Sequence, residues 1–175
     1  MTDEVPLSSV ARRLRVPRGT GLGGFIYGTI LVLSVLVAAA RAYPHEAGHI
    51  AALVAVTSFV FWLAHVYAHG LSYSVTHDVH LSLAELRRIA GREGSIVGAA
   101  LLPIAALLLG AFGLLSTRAS VWAAFGVGLA ALVVEGIIFA RVERMGALGT
   151  LAIVTANLAL GAALVGLKLL VNPSD

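Results

Sequence analysis

The chain has 175 residues, 59% of them hydrophobic and 12% charged, with a formal net charge of +3 and a mean hydropathy of +0.95. A soluble domain of this length carries about twice that charge and cannot hide so much apolar surface from water. The composition excludes a soluble enzyme, a nucleic-acid-binding module and a disordered tail, and the absence of cysteine excludes disulfides and thiolate-ligated metal centres.

Residues 1–20 form a basic segment carrying Arg12, Arg13, Arg15 and Arg18, ahead of a single transmembrane helical domain over residues 21–172. Five apolar stretches follow, at Leu22–Ala40, Ile50–Leu71, Ile96–Leu115, Val121–Ala140 and Ala147–Val171. Each is close to the roughly 20 helical residues that a bilayer core requires. The predicted fold class is all-α: a polytopic membrane protein of five transmembrane helices. Nine basic residues fall on the N-terminal side of the membrane, against Arg41, Arg118 and Lys168 on the other. That bias predicts a multi-pass protein of the cell membrane with its N-terminus inside and its C-terminus outside.

The first stretch ends in Ala40-Arg41-Ala42, which imitates a signal-peptidase site. The apolar run is long for a signal peptide, so an uncleaved anchor is expected. Between the second and third stretches, Ser82-Leu83-Ala84-Glu85 reads as a capping box opening a short amphipathic cytoplasmic helix. Its apolar face is Leu83, Leu86, Ile89 and Ala90, and its arginines are expected to meet anionic lipid headgroups.

The second stretch carries a polar stripe. Ser58, Trp62, His65, His69, Ser72 and Thr76 succeed one another at steps of 4, 3, 4, 3 and 4, which places them on one helical face with Tyr73 and His80 beside it. Polar groups facing hydrocarbon are costly, so the stripe is expected to face other helices or water. In the fourth stretch a lone carboxylate, Glu135, lies about 8 Å from the cytoplasmic end; His65 is about 9 Å from its own end at 1.5 Å per residue. Equal depth predicts a His65–Glu135 contact. Pro103 and the small residues Gly98 and Gly136 fall at similar heights. Asn157, in the fifth stretch, calls for an interhelical partner.

An ionisable residue inside the bilayer is a functional site by default. The candidate ion or proton site is therefore His65, His69, Glu135, Trp62, Tyr67 and Asn157, and the expected function is proton or cation handling of a channel or transporter kind. The bland alternative is a Glu–His hydrogen bond that fixes helix register in a structural or accessory membrane subunit. Haem is not expected: the deep histidines come from one helix, so two axial ligands would require a symmetric dimer.

His45-Glu46-Ala47-Gly48-His49 spells H-E-x-x-H. On a helix the two histidines can grip zinc, or another divalent ion, while the glutamate activates water. Over these five residues the chain resembles the zinc motif of membrane-associated metalloproteases, including the FtsH-type and site-2-type enzymes, and the resemblance implies a membrane zinc hydrolase. Against it, Pro44 is expected at the first helical position, at the external interface, where no third ligand is in reach. Phe61-Trp62-Leu63-Ala64-His65-Val66-Tyr67-Ala68-His69, with Ala84-Glu85-Leu86-Arg87 and a proline in the next span, resembles small uncharacterised multi-pass membrane proteins of actinobacteria. That resemblance points to Trp62, His65 and Tyr67 and transfers no activity. The expected partners are membrane lipids and either further copies of the chain or another membrane protein, the former because small residues line the fourth and fifth stretches. Nucleic acid is not expected.

Overall fold

In the computed structural model, which describes residues 21–78 and 80–171, the chain runs through six helices. These are α1 Leu22–Ala42, α2 Ala47–His77, α3 Leu83–Glu93, α4 Ser95–Ala111, α5 Thr117–Val142 and α6 Ala147–Val171, and the described residues contain no strand. The basic residues before α1 lie outside the described part. Helices α1, α2, α5 and α6 are each long and apolar enough to cross a membrane; α3 and α4, bent by 45° at their junction, qualify as a pair. The protein is an all-α polytopic membrane protein.

The centre of the bundle is α1. It packs against α2, α4, α5 and α6, and Val32, Leu33 and Leu36 on it are fully buried. An aliphatic run of this kind forms a helix in lipid because every backbone group must be bonded internally. It then packs through van der Waals contact, since lipid tails are as apolar as leucine and give helices no hydrophobic reason to associate.

Two boundaries differ from the sequence expectation. The third span stops at Ala111 rather than Leu115, because Gly113 takes a left-handed φ of 77°. The Gly113 N–H donates to the Gly110 carbonyl (3.1 Å) and the Leu114 N–H to the Leu109 carbonyl (2.9 Å), a Schellman cap that closes the helix. The same pair of bonds ends α5, from Arg144 to Arg141 and from Met145 to Ala140, with Arg144 at a φ of 54°. The second span instead continues past Leu71 to His77. At 31 residues it is about 46 Å long, so its last turns project some 15 Å beyond a hydrocarbon core of about 30 Å.

That projecting end explains α3. The capping box forms as expected: Ser82 Oγ accepts from the Glu85 N–H at 3.2 Å, and the Ser82 N–H donates to Glu85 Oε2 at 3.2 Å. The helix then runs back along α2, tied by Tyr73 Oη–H to Glu85 Oε1 (2.8 Å), His69 Nδ1 to Glu93 Oε1 (2.8 Å) and Trp62 Nε1–H to the Ala90 carbonyl (3.0 Å). Its charged side chains Glu85, Arg87, Arg88, Arg92 and Glu93 give α3 the amphipathic character expected of a headgroup-region helix.

Hydrogen bonds from the Tyr73 hydroxyl, and then from the Ser82 hydroxyl and N–H, hold the Glu85 carboxyl below its usual range. A depressed carboxyl pKa contributes stability that is present above the ordinary carboxylate range and lost as pH falls through the lowered value. Acidification into that window should therefore raise amide hydrogen exchange across residues 82–93 while α1 and α5 stay protected. Tyr73→Phe should produce the same loosening at neutral pH. Equal protection of residues 82–93 in both proteins at every pH would refute the link.

Candidate functional site

The buried carboxylate does not meet histidine. Glu135 on α5 is 3% exposed, and its Oε1 accepts from the Thr29 hydroxyl of α1 at 2.8 Å. His65 is half-buried, with Nδ1 on the Phe61 carbonyl of its own helix (2.9 Å) and its ring 5.0 Å from that of Tyr27. The expected His65–Glu135 contact is overturned, and the reason lies in α1. Tyr27 and Thr29 are two residues apart, about 200° around a helix, so α1 presents Tyr27 to α2 and Thr29 to α5. It stands as a wall between the two groups, and α2 and α5 barely touch. Equal depth was a sound inference, but adjacency was not.

The polar stripe on α2 is buried at Ser58, half-buried at Trp62 and His65, and exposed at His69, Ser72 and Thr76. Trp62, His69 and Tyr73 are the residues that hold α3, and Ser58 is 1% exposed with its hydroxyl unpartnered among the described residues. His69 thus serves the α2–α3 joint rather than Glu135, although its ring lies 6.2 Å from that of His65. Tyr67 points the other way and is 67% exposed, so it belongs to no shared site with Trp62 or His65. Asn157 on α6 donates through Nδ2 to the Leu132 carbonyl of α5 at 3.1 Å, a packing tie one turn from Glu135 along α5.

The H-E-x-x-H segment is not a helical face. The helix begins at Ala47 with Glu46 as its cap residue, so His45 and Glu46 precede it, and Pro44 lies in the turn rather than at the first helical position. The i,i+4 geometry that would aim both histidines at one ion is therefore missing. His49 Nδ1 pairs with Glu46 Oε2, its ring stacks on Tyr43 at 5.2 Å, and the His45 carbonyl accepts from Thr117 Oγ1 at 3.3 Å. Among the described residues no cluster of three or more His, Asp or Glu side chains is placed to hold a metal ion.

Sequence reasoning missed Thr29 and Ser95. Around Glu135 the residues of α1, α4 and α5 leave a groove of about 710 Å³ that opens sideways, lined almost wholly by carbon. Two buried oxygens on its wall have no hydrogen-bond partner among the described residues: Glu135 Oε2 and Ser95 Oγ. The Thr29 hydroxyl is shared as well, lying 3.0 Å from the Phe25 carbonyl of its own helix and 2.8 Å from Glu135. A hydroxyl has one proton and two acceptor positions. Both contacts are satisfied at once when the carboxyl carries a proton and donates it to Thr29, which then donates to Phe25. When the carboxyl is ionised, Thr29 must turn its proton to Glu135 and release the Phe25 carbonyl. The signal in the sequence was Gly28-Thr29, a small and a hydroxyl residue in an otherwise aliphatic span.

Glu135 forms no ion pair among the described residues; the two pairs seen, His49–Glu46 and His69–Glu93, lie elsewhere. Compared with family models, with curated proteins and with solved structures, the chain has no match in any of the three, so the site's chemistry is argued from its own geometry.

Proposed function

We propose that this is a cell-membrane protein of the channel or transporter kind, in which Glu135 takes up and releases a proton within the inner half of the bilayer. One observation carries the reading: a carboxyl group buried among apolar helices has a hydroxyl as its hydrogen-bond partner, and its second oxygen is buried without a partner among the described residues, behind the wall of an apolar groove. A carboxylate locked to an arginine would be a fixed charge. A carboxyl sharing a rotatable hydroxyl can exist in either protonation state with a small rearrangement, which suits proton handling. The Thr29–Glu135 bond also favours a second reading, an interhelical peg in a structural subunit, because it ties α1 to α5.

Proteoliposomes with an imposed pH gradient separate the two. Wild-type protein should pass protons, and Glu135→Gln should reduce that flux by about tenfold or more, since the amide keeps a hydrogen bond to Thr29 but carries no exchangeable acid. Infrared difference spectra between acid and alkaline buffer should show a protonated-acid carbonyl band in wild type that Glu135→Gln removes. Unchanged flux in the Gln variant, with no such band in wild type, would leave the peg reading standing and retire this one.

A further inference from the structure

We propose that the groove between α1, α4 and α5 binds a lipophilic amine, an apolar molecule bearing one protonated amino group, with its ammonium on Glu135. The inference rests on the proposed proton-carrying role of Glu135 and names the molecule that competes with the proton there.

The groove has the size and lining of a small-molecule site. Its volume, about 710 Å³, falls within the usual range for ligand pockets, and side chains such as Phe25, Leu102, Ala131 and Ile138 give it an apolar wall. From Val127 to Ile138 it follows α5 for about 16 Å, long enough for an aryl or alkyl body. Because it opens laterally, an occupant enters from lipid and must itself be lipophilic.

The unpartnered oxygens lie buried just behind the apolar wall, and once the Glu135 side chain turns toward an occupant they select its polar group. A lipid acyl chain would fill the volume and leave Glu135 Oε2 and Ser95 Oγ unsatisfied, a cost that burial imposes on any polar atom without a partner. An alcohol supplies one donor and no charge. An ammonium supplies three donors and the charge that complements a carboxylate, and charge-assisted hydrogen bonds are roughly twice as strong as neutral ones. Among the described residues, Glu135 is the only acidic side chain on the groove wall, and no basic side chain lines it. The exchange balances: the protonated carboxyl and the ammonium cation give a carboxylate–ammonium pair and one proton released to solvent. Thr29 follows by turning its hydroxyl from the Phe25 carbonyl to Glu135.

The test uses the full chain in lipid nanodiscs, titrated calorimetrically with phenylbutylamine and with phenylbutanol, which match in shape and differ in charge; empty discs give the partition background. Wild type should bind the amine about tenfold or more tighter than the alcohol, a preference of about 1.4 kcal/mol or more. Glu135→Gln should bind the two equally, and its retained alcohol binding shows that the groove is intact. Ala131→Phe, which fills the groove, should lose both. Titration in phosphate and in Tris, whose ionisation heats differ, should count one proton released per amine and none per alcohol. Equal affinity for the two probes in wild type, a preference that survives in Glu135→Gln, or no binding above empty discs would overturn the proposal, the last meaning that lipid alone occupies the groove. An amine preference that depends on Glu135 but releases no proton would uphold the amine site and remove the proton-carrying reading.

Discussion

A chain that begins after Ala42 should fail to assemble, whereas the intact chain should be monodisperse in mild detergent. The reason is the place of α1 in the bundle. It is the one helix that packs against α2, α4, α5 and α6 together, and it contributes the fully buried Val32, Leu33 and Leu36. Truncating a single buried leucine to alanine costs about 2–5 kcal/mol, so losing three large side chains approaches the 5–15 kcal/mol that holds a typical domain together. Transmembrane helices form individually before they associate, so residues 1–43 supplied as a separate peptide should restore a monodisperse particle in part. Size-exclusion chromatography of the truncated chain, alone and with the peptide, reads the result. A truncated chain that elutes as a sharp peak without the peptide would show that α1 is dispensable.

The second large effect is at Gly28. A Cβ there would lie 2.9 Å from both the Cα and the carbonyl oxygen of Ile96 and 3.1 Å from Ala99 Cβ. Two of the three neighbours are backbone atoms, so no rotamer change relieves the clash, and α1 and α4 would have to separate. Gly28→Ala should destabilise by about 1–3 kcal/mol and Gly28→Leu by more, because inserting atoms into a packed contact shifts backbones. Gly126 offers the control, since a Cβ added there meets nothing within 4 Å. Gly126→Ala should be neutral or stabilising by up to about 1 kcal/mol, the helix-propensity difference. Thermal unfolding in detergent, followed by the fluorescence of Trp62 and Trp122, orders the three. Equal midpoints for Gly28→Ala and Gly126→Ala would show that the α1–α4 approach is not tight. Because Glu135 and Ser95 line the groove beside that contact, Gly28→Leu should also weaken the amine preference.

The glycines also change the argument for self-association. A Cβ at Gly136 would press on Val154 and Asn157, at Gly161 on Leu129 and Leu132, and at Gly128 on Leu33. Those three glycines are taken up by contacts within one chain, whereas Ala152, Ala156, Ala159 and Ala163 on α6 are exposed. A Cβ added at Gly126, by contrast, meets nothing within 4 Å among the described residues.

What was legible in the sequence follows from periodicity and from local chemistry. Apolar runs of bilayer length marked the crossings, the spacing of Ser82 and Glu85 marked a cap, and the 3- and 4-residue steps from Ser58 to Thr76 marked a polar stripe that is covered by protein only over its first half. Each depends only on residues near one another along a single helix. Helix ends were less legible: Gly113 stopped α4 early through a left-handed cap, while nothing after Leu71 stopped α2, whose polar last turns leave the membrane and bond to α3. The partner of Glu135 was not legible at all. Depth in a membrane can be counted along each helix, but lateral order cannot, and α1 inserts itself between α2 and α5 because its glycine and aliphatic face packs best at the centre. The sequence determined that a lone carboxylate lies within an apolar span long enough to cross a membrane. Only the tertiary structure decided that Thr29 would hold it, with its second oxygen buried beside a groove and unpartnered among the described residues, because a helix turns 100° per residue and Tyr27 and Thr29 must face different neighbours.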